Sequence, residues 1–385
     1  MHPADLDLDL ADGAAANLCA AMRAALRSAP PVARDGPFPR AWWQHLAAHN
    51  LLGVGFDADD GRGIRADWPA IAALAGIVAQ ETAHLGLALG WLMNEMLGRF
   101  VIGPHSGNDG HRALLRLMAR GRKIVALAIS EPQAGAHPKL LQCAARRHDG
   151  QWLLDGEKSY VSNGPAADAF VVVAVTGEDA RRKRFDAFIV DADAPGLNRP
   201  PTGRAAVLSP LGHCGLALNA CHVGDACRLG TVGDAFDLIA KPMRALEDSL
   251  LAGAMVGAMR AELDALARWQ RSARPTPDTL RRLGGLQLEL MAIATLASRS
   301  ALELGRHGPG ERLADLNAGV RIVLQRWQTS CESFAAGLDD HEPGLLDLAQ
   351  DLRTVLGIAR GVGEARHLKA GTGLLSLKEN NEIPA

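Results

Sequence analysis

Two short segments place hydroxyl groups at turns in the chain. Ser130-Glu131-Pro132 closes a short apolar run, and Ser162-Asn163-Gly164 ends a later strand-like stretch. Hydroxyl and backbone N–H donors directed at one point can stabilise negative charge that develops there during a reaction. Both segments are also good turn sequences in any protein, so either one alone predicts only a turn.

A single glutamate stands out farther along the chain. Glu247 lies in a predicted helix, and the residues three or four positions away on its face are apolar: Met243, Leu250 and Leu251. An apolar stripe raises the pKa of a carboxyl group and makes it a better base for removing a proton. Glu247 could instead pair with the nearby Arg244 or face water. Asp248 lies one turn after Arg244 and can form a structural ion pair with it.

These residues belong to a chain whose periodicity changes twice. Residues 14–120 predict helices with short loops, including the long apolar stretch 67–96. From Lys123 the pattern changes to strand-length apolar runs bounded by Gly, Asp, Asn or Pro: 124–129, 151–154, 169–175 and 185–190. From Ala235 helical periodicity returns in four long segments with short connections: 237–270, 278–306, 314–336 and 345–369.

The order of these elements predicts a multidomain α+β protein. A helical domain (1–122) precedes a β domain (123–233), and a C-terminal four-helix bundle (234–385) follows. Asp149-Gly150 predicts a hairpin turn inside the β domain. The order of domains alone does not name a function.

Composition and charge exclude several classes of function. A formal net charge of −2 and a pI of about 6.7 provide no basic field for nucleic acid. The six cysteines form no Cys-x-x-Cys pair and there is no His-Glu-x-x-His run, so we expect no metal site. The acidic start lacks the layout of a signal peptide, and charges interrupt the apolar stretches. We therefore expect no membrane span and a cytoplasmic location.

Four segments, in order, resemble signatures of the acyl-CoA dehydrogenase family. Residues 128–135 are similar to its TEPxAG motif. Residues 155–164 are similar to its second motif, in which Asn/Asp-Gly-x-Lys precedes an aromatic residue and Ser/Thr-Asn-Gly. Residues 191–196 match its D-x-D-x-P-G turn, and Leu211-Gly212 begins its next loop. Each match alone is weak, but four in this order at family spacing are specific. The resemblance covers roughly residues 15–300.

The resemblance implies FAD bound at a central β-barrel-like domain that lies between two helical domains. It assigns seven residues to the cofactor: Leu127, Ile129, Ser130, Gly135, Ala136, Tyr160 and Ser162. Ser130 and nearby N–H groups would serve the N1 and O2 edge of the flavin, Ser162 would reach N5, and Tyr160 would cover one ring face. A homodimer or homotetramer is also implied, as is an electron-transfer flavoprotein or oxygen as electron acceptor.

The resemblance also indicates a catalytic base. Family members use a glutamate to remove the proton beside the thioester carbonyl, and most carry it near the C-terminus, in a segment not expected here. The isovaleryl and long-chain classes carry it on the first helix of the bundle. Residues 246–254 (LEDSLLAGA) align with that pattern and place the base at Glu247. The implied reaction is FAD-dependent α,β-dehydrogenation of an acyl thioester, on CoA or on a carrier protein.

Several departures from the family pattern leave two alternatives open. Ala136-His137 replaces a Ser-Asp pair, and His137 is expected in a surface turn. His213-Cys214 stands where the family has an arginine. The family also has an R-x-x-F-G motif, and Arg274 lies one residue after the position of the motif's arginine. Residues 370–375 are expected to form a Gly-rich turn, with the chain ending before the family's last helix. These departures favour, as alternatives, a weak or inactive binding subunit or a flavin-dependent monooxygenase of the same fold.

Overall fold

The computed structural model describes residues 13–179, 182–201, 208–272, 275–337, 343–358 and 360–379. The first part is helical, as the periodicity predicts. It consists of α1 (Gly13–Arg27), α2 (Arg40–Ala48), α3 (Trp68–Thr82), α4 (Leu85–Met96), which continues as a π-helical turn (Leu97–Ile102), and α5 (Asp109–Ala119).

The apolar stretch 67–96 forms two helices. Asp67 begins α3 by accepting a hydrogen bond from the N–H of Ala70 at 2.9 Å. Ala83 then ends α3 because it adopts the left-handed conformation, with φ of 52°. The segment Leu85–Ile102 is long and apolar enough to cross a membrane, and 89% of it is buried inside the protein. Two charged residues, Glu95 and Arg99, interrupt this segment, as the sequence predicts.

The central part is a mixed sheet. Its strands are β1 (Val125–Ala128), β2 (Ala144–His148), β3 (Gln151–Ser162), β4 (Ala169–Asp179), β5 (Arg182–Asp191), β6 (Leu197–Asn198), β7 (His213–Val223) and β8 (Arg228–Leu229). Over the described residues the spatial order is β6-β7-β3-β2-β4-β5-β8, and β1 pairs parallel to β4. The predicted hairpin is present: Asp149 (φ 48°) and Gly150 (φ 78°) join β2 to β3.

Strand β7 is absent from the strands predicted above. It pairs with β3 and buries alternate residues against the inner face of the sheet: Cys214, Leu216, Leu218, Cys221 and Val223. Trp152, Phe170 and Phe188 belong to the same interior. On the other face, Val171 and Val173 of β4 join the core formed by the helices. The apolar alternation of β7 was the available sequence signal.

Long helices form the C-terminal part. After a π-helical turn (Phe236–Ala240) come α6 (Lys241–Ser272), α7 (Pro277–His307), α8 (Glu311–Ala335), α9 (Pro343–Gly357) and α10 (Arg360–Glu379). The single helix predicted over 345–369 is therefore wrong. The carbonyls at the end of α9 are bound by Arg321 and Gln325 of α8, which satisfies groups that a helix end leaves open.

Close packing joins α6 to the N-terminal helices. A Cβ atom at Gly257 would overlap the carbonyl of Gly76, and one at Gly253 would overlap the carbonyl of Ala72. Glycine at these positions lets the α3 and α6 backbones touch. The helix that carries Glu247 is thereby fixed against the N-terminal helices.

Candidate active site

The first signature segment forms a tight turn at the end of β1. The N–H of Glu131 donates to the Gly135 carbonyl at 2.9 Å, and the N–H of Gly135 donates back at 3.0 Å. Gln133 and Gly135 adopt positive φ values of 62° and 54°. A Cβ atom at Gly135 would meet nothing within 4 Å. Gly135 and Ala136 are both exposed, so the outer side of this turn is open.

A buried ion pair holds this turn against β3. Lys158 Nζ lies 2.8 Å from Glu131 Oε1, and the two side chains are 0% and 7% exposed. Glu131 also accepts hydrogen bonds from the N–H groups of Gln142 (2.6 Å) and Cys143 (3.0 Å). Lys158 also donates to the Ile129 carbonyl at 3.0 Å. The motif resemblance assigns no role to Glu131 or Lys158, although their opposite charges at fixed positions of the two signatures are a signal for such a pair.

The ion pair brings the two hydroxyl-bearing segments together. The N–H of Ser159 donates to the Ser130 carbonyl at 2.8 Å. Within the described residues, the half-buried hydroxyls of Ser130 and Ser162 form no hydrogen bond, and the buried Ser159 hydroxyl has no partner. The Tyr160 side chain is 53% exposed and its φ is 55°. We call Ser130, Ser159, Tyr160 and Ser162 the β cluster. Leu127 and Ile129 nearby are half-buried.

Asn163 of the second signature is a structural anchor. It is 1% exposed and has a φ of 62°. Its Nδ2 atom donates to the Gly90 carbonyl of α4 at 3.3 Å. This bond connects the end of β3 to the most buried helix of the N-terminal part. Like the Glu131–Lys158 pair, it is a structural role that the sequence motif does not indicate.

Glu247 lies on the first third of α6, among charged residues. Its side chain keeps some solvent-exposed surface, yet burial raises its pKa above the ordinary glutamate value. Arg244 and Arg321 lower this pKa and Asp248 raises it, each to a smaller extent. Asp248 itself is paired with Arg244 at 2.7 Å, as the sequence predicts, and also with Arg321 at 2.8 Å.

The β cluster and Glu247 lie on different parts of the fold. Within the described residues no hydrogen bond or ion pair joins them. A cavity of about 1170 Å³ lies between α6, α8, α9 and α10. Arg244, Asp248 and Arg321 line this cavity, and Glu247 does not. The predicted cofactor residues lie outside it as well, so the cavity is not the predicted flavin site.

The positions that depart from the family pattern have ordinary structural roles. His137 is exposed in a turn, as expected, and its carbonyl accepts from the N–H of Leu140 at 2.9 Å. Burial lowers the pKa of His213 at the start of β7. Residues 370–375 lie within α10, so the Gly-rich turn expected there is wrong. Arg274 lies outside the described residues.

Among the described residues, no cluster of three or more His, Cys, Asp or Glu side chains could hold a metal ion.

Comparison with known proteins agrees with the motif evidence. The model of the acyl-CoA dehydrogenase middle domain matches residues 126–221. The chain is 27% identical to benzylmalonyl-CoA dehydrogenase of Aromatoleum aromaticum over 260 residues, 67% of each chain. It is 27% identical to L-prolyl-[peptidyl-carrier protein] dehydrogenase of Pseudomonas fluorescens over 313 residues, 78% of this chain and 79% of that protein.

Solved structures confirm the predicted fold. Butyryl-CoA dehydrogenase of Megasphaera elsdenii has a TM-score of 0.79 at 19% identity, covering 94% of this chain and 98% of that chain. Glutaryl-CoA dehydrogenase of Mycobacterium smegmatis in complex with FADH2 has a TM-score of 0.76 at 20% identity, covering 94% and 95%.

Proposed function

The chain belongs to the acyl-CoA dehydrogenase family, and we propose that it binds FAD and dehydrogenates the α and β carbons of an acyl thioester. The observation that carries the proposal is the β cluster: within the described residues the Ser130, Ser159 and Ser162 hydroxyls form no hydrogen bond, and the neighbouring Tyr160 side chain is exposed. The names of two relatives indicate thioesters as substrates, one on CoA and one on a carrier protein.

The donors and surfaces of the β cluster suit a flavin ring. Ser130 and Ser162 provide hydroxyl donors for a ring edge that gains negative charge. The Tyr160 ring provides a flat face for packing, and the turn at Gly135 and Ala136 leaves room for close approach. Leu127 and Ile129 add apolar contacts. Bound FAD supplies the acceptor for the hydride that leaves the β carbon.

Glu247 is the proposed base. It takes the proton from the carbon next to the thioester carbonyl and holds it on a carboxyl oxygen. Because burial raises its pKa, the ionised carboxylate is a stronger base than that of an exposed glutamate. Asp248 is unsuited to this role, since two arginines already bind its carboxylate.

We extend the proposal to assembly, location and electron transfer. The family resemblance favours a homodimer or homotetramer in the cytoplasm, with an electron-transfer flavoprotein as acceptor. Exposed apolar residues on α7 offer a surface for a second copy: Leu280, Leu288, Met291 and Leu296. Light scattering should then give the mass of two or four chains, and a monomer at micromolar concentration would contradict this part.

Cofactor retention followed by anaerobic bleaching tests the proposal. The purified protein is mixed with excess FAD, desalted and scanned. Flavin absorbance should persist and should bleach when an acyl thioester is added without oxygen. The panel should contain branched and aromatic acyl-CoA esters and an aminoacyl thioester on a carrier protein. A colourless protein would support the binding-subunit alternative. Bound flavin that no thioester bleaches, but that forms an oxygenated species after chemical reduction, would support the monooxygenase.

A further inference from the structure

Asp248, the residue after Glu247, is the centre of a charged junction between two helices. Its Oδ2 atom accepts a hydrogen bond from Arg244 Nε at 2.8 Å. Its Oδ1 atom accepts one from Arg321 Nη2, also at 2.8 Å. Arg244 belongs to α6 and Arg321 belongs to α8. The junction therefore fixes one helix to the other directly beside the proposed base.

Arg321 connects this junction to the break between α9 and α10. Its second amino group, Nη1, lies within hydrogen-bond distance of three carbonyls: Val355 (3.2 Å), Leu356 (3.0 Å) and Ile358 (3.1 Å). Gln325 Nε2 adds a bond to the Leu356 carbonyl at 3.0 Å. The Arg321 side chain is only 17% exposed. Arg321 reaches the carboxylate with one amino group and the carbonyls with the other, whereas a lysine carries all its donors on one nitrogen atom.

We propose that Arg321 is a positioning residue for the reaction: it binds Asp248 and the end of α9, and so fixes the surroundings of Glu247. The inference rests on the proposed function, in which Glu247 removes the proton. Arg321 is not proposed to touch the substrate. It acts by holding α6, α8 and the α9–α10 break in one arrangement.

The charged groups around Glu247 make the sign of each substitution predictable. Arg244 and Asp248 act on it from α6, and Arg321 acts from α8. Acidic groups on the other helices that pack against α6 have partners of their own. Asp347 and Asp351 of α9 pair with Arg34, Glu81 of α3 pairs with Arg23, Glu303 of α7 pairs with Arg299 and Arg312, and Glu95 of α4 accepts from backbone N–H groups. Removing Arg321 therefore raises the pKa of Glu247, whereas neutralising Asp248 lowers it.

The experiment compares Arg321→Gln, Arg321→Lys and Asp248→Asn in the FAD-loaded protein. The pH midpoint of thioester-dependent bleaching should move up in Arg321→Gln and down in Asp248→Asn. Arg321→Lys should keep the midpoint near the wild-type value. Both Arg321 variants should bleach on the order of tenfold more slowly at the optimal pH, because neither side chain has two separate amino groups to reach Asp248 and the end of α9 together. Arg353→Gln is the matched control: Arg353 lines the same cavity and pairs with Glu332, and its substitution should move neither quantity.

A second readout does not depend on turnover. Amide exchange at Leu356 and Ile358 should be at least about tenfold faster in both Arg321 variants and unchanged in Arg353→Gln, because the end of α9 loses its cap. If none of the thioesters bleaches the flavin of the wild-type protein, the proposed function is wrong. Wild-type protein that bleaches normally, with Arg321→Gln matching it in midpoint, rate and exchange, would overturn the positioning role alone.

Discussion

Buried glutamates have different hydrogen-bond and ion-pair partners in the β region and in the bundle. Glu131 of the β region meets a lysine ammonium and two backbone N–H groups. In the bundle, Glu262 is 1% exposed and receives one bond from Gln328 at 3.2 Å, and its Oε2 atom has no partner among the residues that the structure describes. Burial raises the pKa of Glu262 to about 8, and it also raises the pKa of Glu247. Burial favours the protonated form of a glutamate that has few partners, whereas removing one member of the Glu131–Lys158 pair would leave a buried charge without compensation.

Breaking the matched pair should have the largest effect on stability. Lys158→Met leaves the Glu131 carboxylate buried without a cation, and should lower the free energy of unfolding by about 3–5 kcal/mol. FAD retention should also fall, because the turn that carries Ser130 loses its tie to β3. Chemical denaturation and desalting measure the two quantities.

Arg146→Met is the control for the Lys158 variant. It removes a cation from a pair with Asp155 whose side chains are 71% and 36% exposed. Such a surface pair contributes less than about 1 kcal/mol. Equal losses in the two variants would contradict a special role for the buried pair.

The unmatched Glu262 should make stability fall as pH rises. Glutamate in the unfolded chain titrates near pH ~4.3, whereas the folded pKa is about 8. The folded state therefore keeps a proton that the unfolded state has lost. This contribution to stability is complete below the unfolded pKa and is lost as pH rises through the folded pKa.

Glu262→Gln removes this titration while keeping an amide of similar shape. Between about pH 5 and pH 7, the wild type should lose roughly 1.4 kcal/mol per pH unit relative to the variant. Urea denaturation at several pH values measures the difference. Glu332→Gln alters a partly exposed carboxylate that also receives a bond from Gln328. It should keep the fall in stability with rising pH but move it to lower pH, because the Glu332 charge helps to raise the pKa of Glu262. Parallel pH curves for wild type and Glu262→Gln would show that Glu262 is not the titrating group.

The smallest predicted effect concerns backbone strain in the β cluster. Tyr160 has a φ of 55°, which is unfavourable for any residue with a Cβ. Tyr160→Gly should leave the apoprotein as stable or about 1 kcal/mol more stable, and should weaken FAD retention. Ala220→Gly, at a φ of 49° on an exposed position of β7, should change stability similarly and leave FAD retention unaffected. Unchanged FAD retention in Tyr160→Gly would remove Tyr160 from the cofactor site.

The sequence predicts the order of helices and strands because hydrophobic periodicity is a local property. It misses the break after Gly357, which depends on Arg321 from another helix, and the end of α3, which depends on an alanine in an unusual conformation. The signature motifs locate the β cluster for a similar reason: they are short and continuous.

The roles of individual motif residues were harder to predict. Two of the contacts join residues far apart in the sequence: the ion pair of Glu131 with Lys158, and the hydrogen bond from Asn163 to the Gly90 carbonyl. Only the folded chain shows that these groups are partners. The surroundings of Glu247 combine α6 and α8, so its apolar neighbours along the helix revealed only half of its environment. Arg321 gave no local signal at all.

Stopped-flow measurement of flavin bleaching in Glu247→Gln, without oxygen, tests whether Glu247 is the base. The variant keeps the size of the side chain and loses the base, and its flavin spectrum after desalting should match that of the wild type. With a thioester that bleaches the wild type, we expect the variant to bleach at a rate at least about 10²-fold lower. Bleaching of Glu247→Gln at the wild-type rate would show that a residue other than Glu247 is the base.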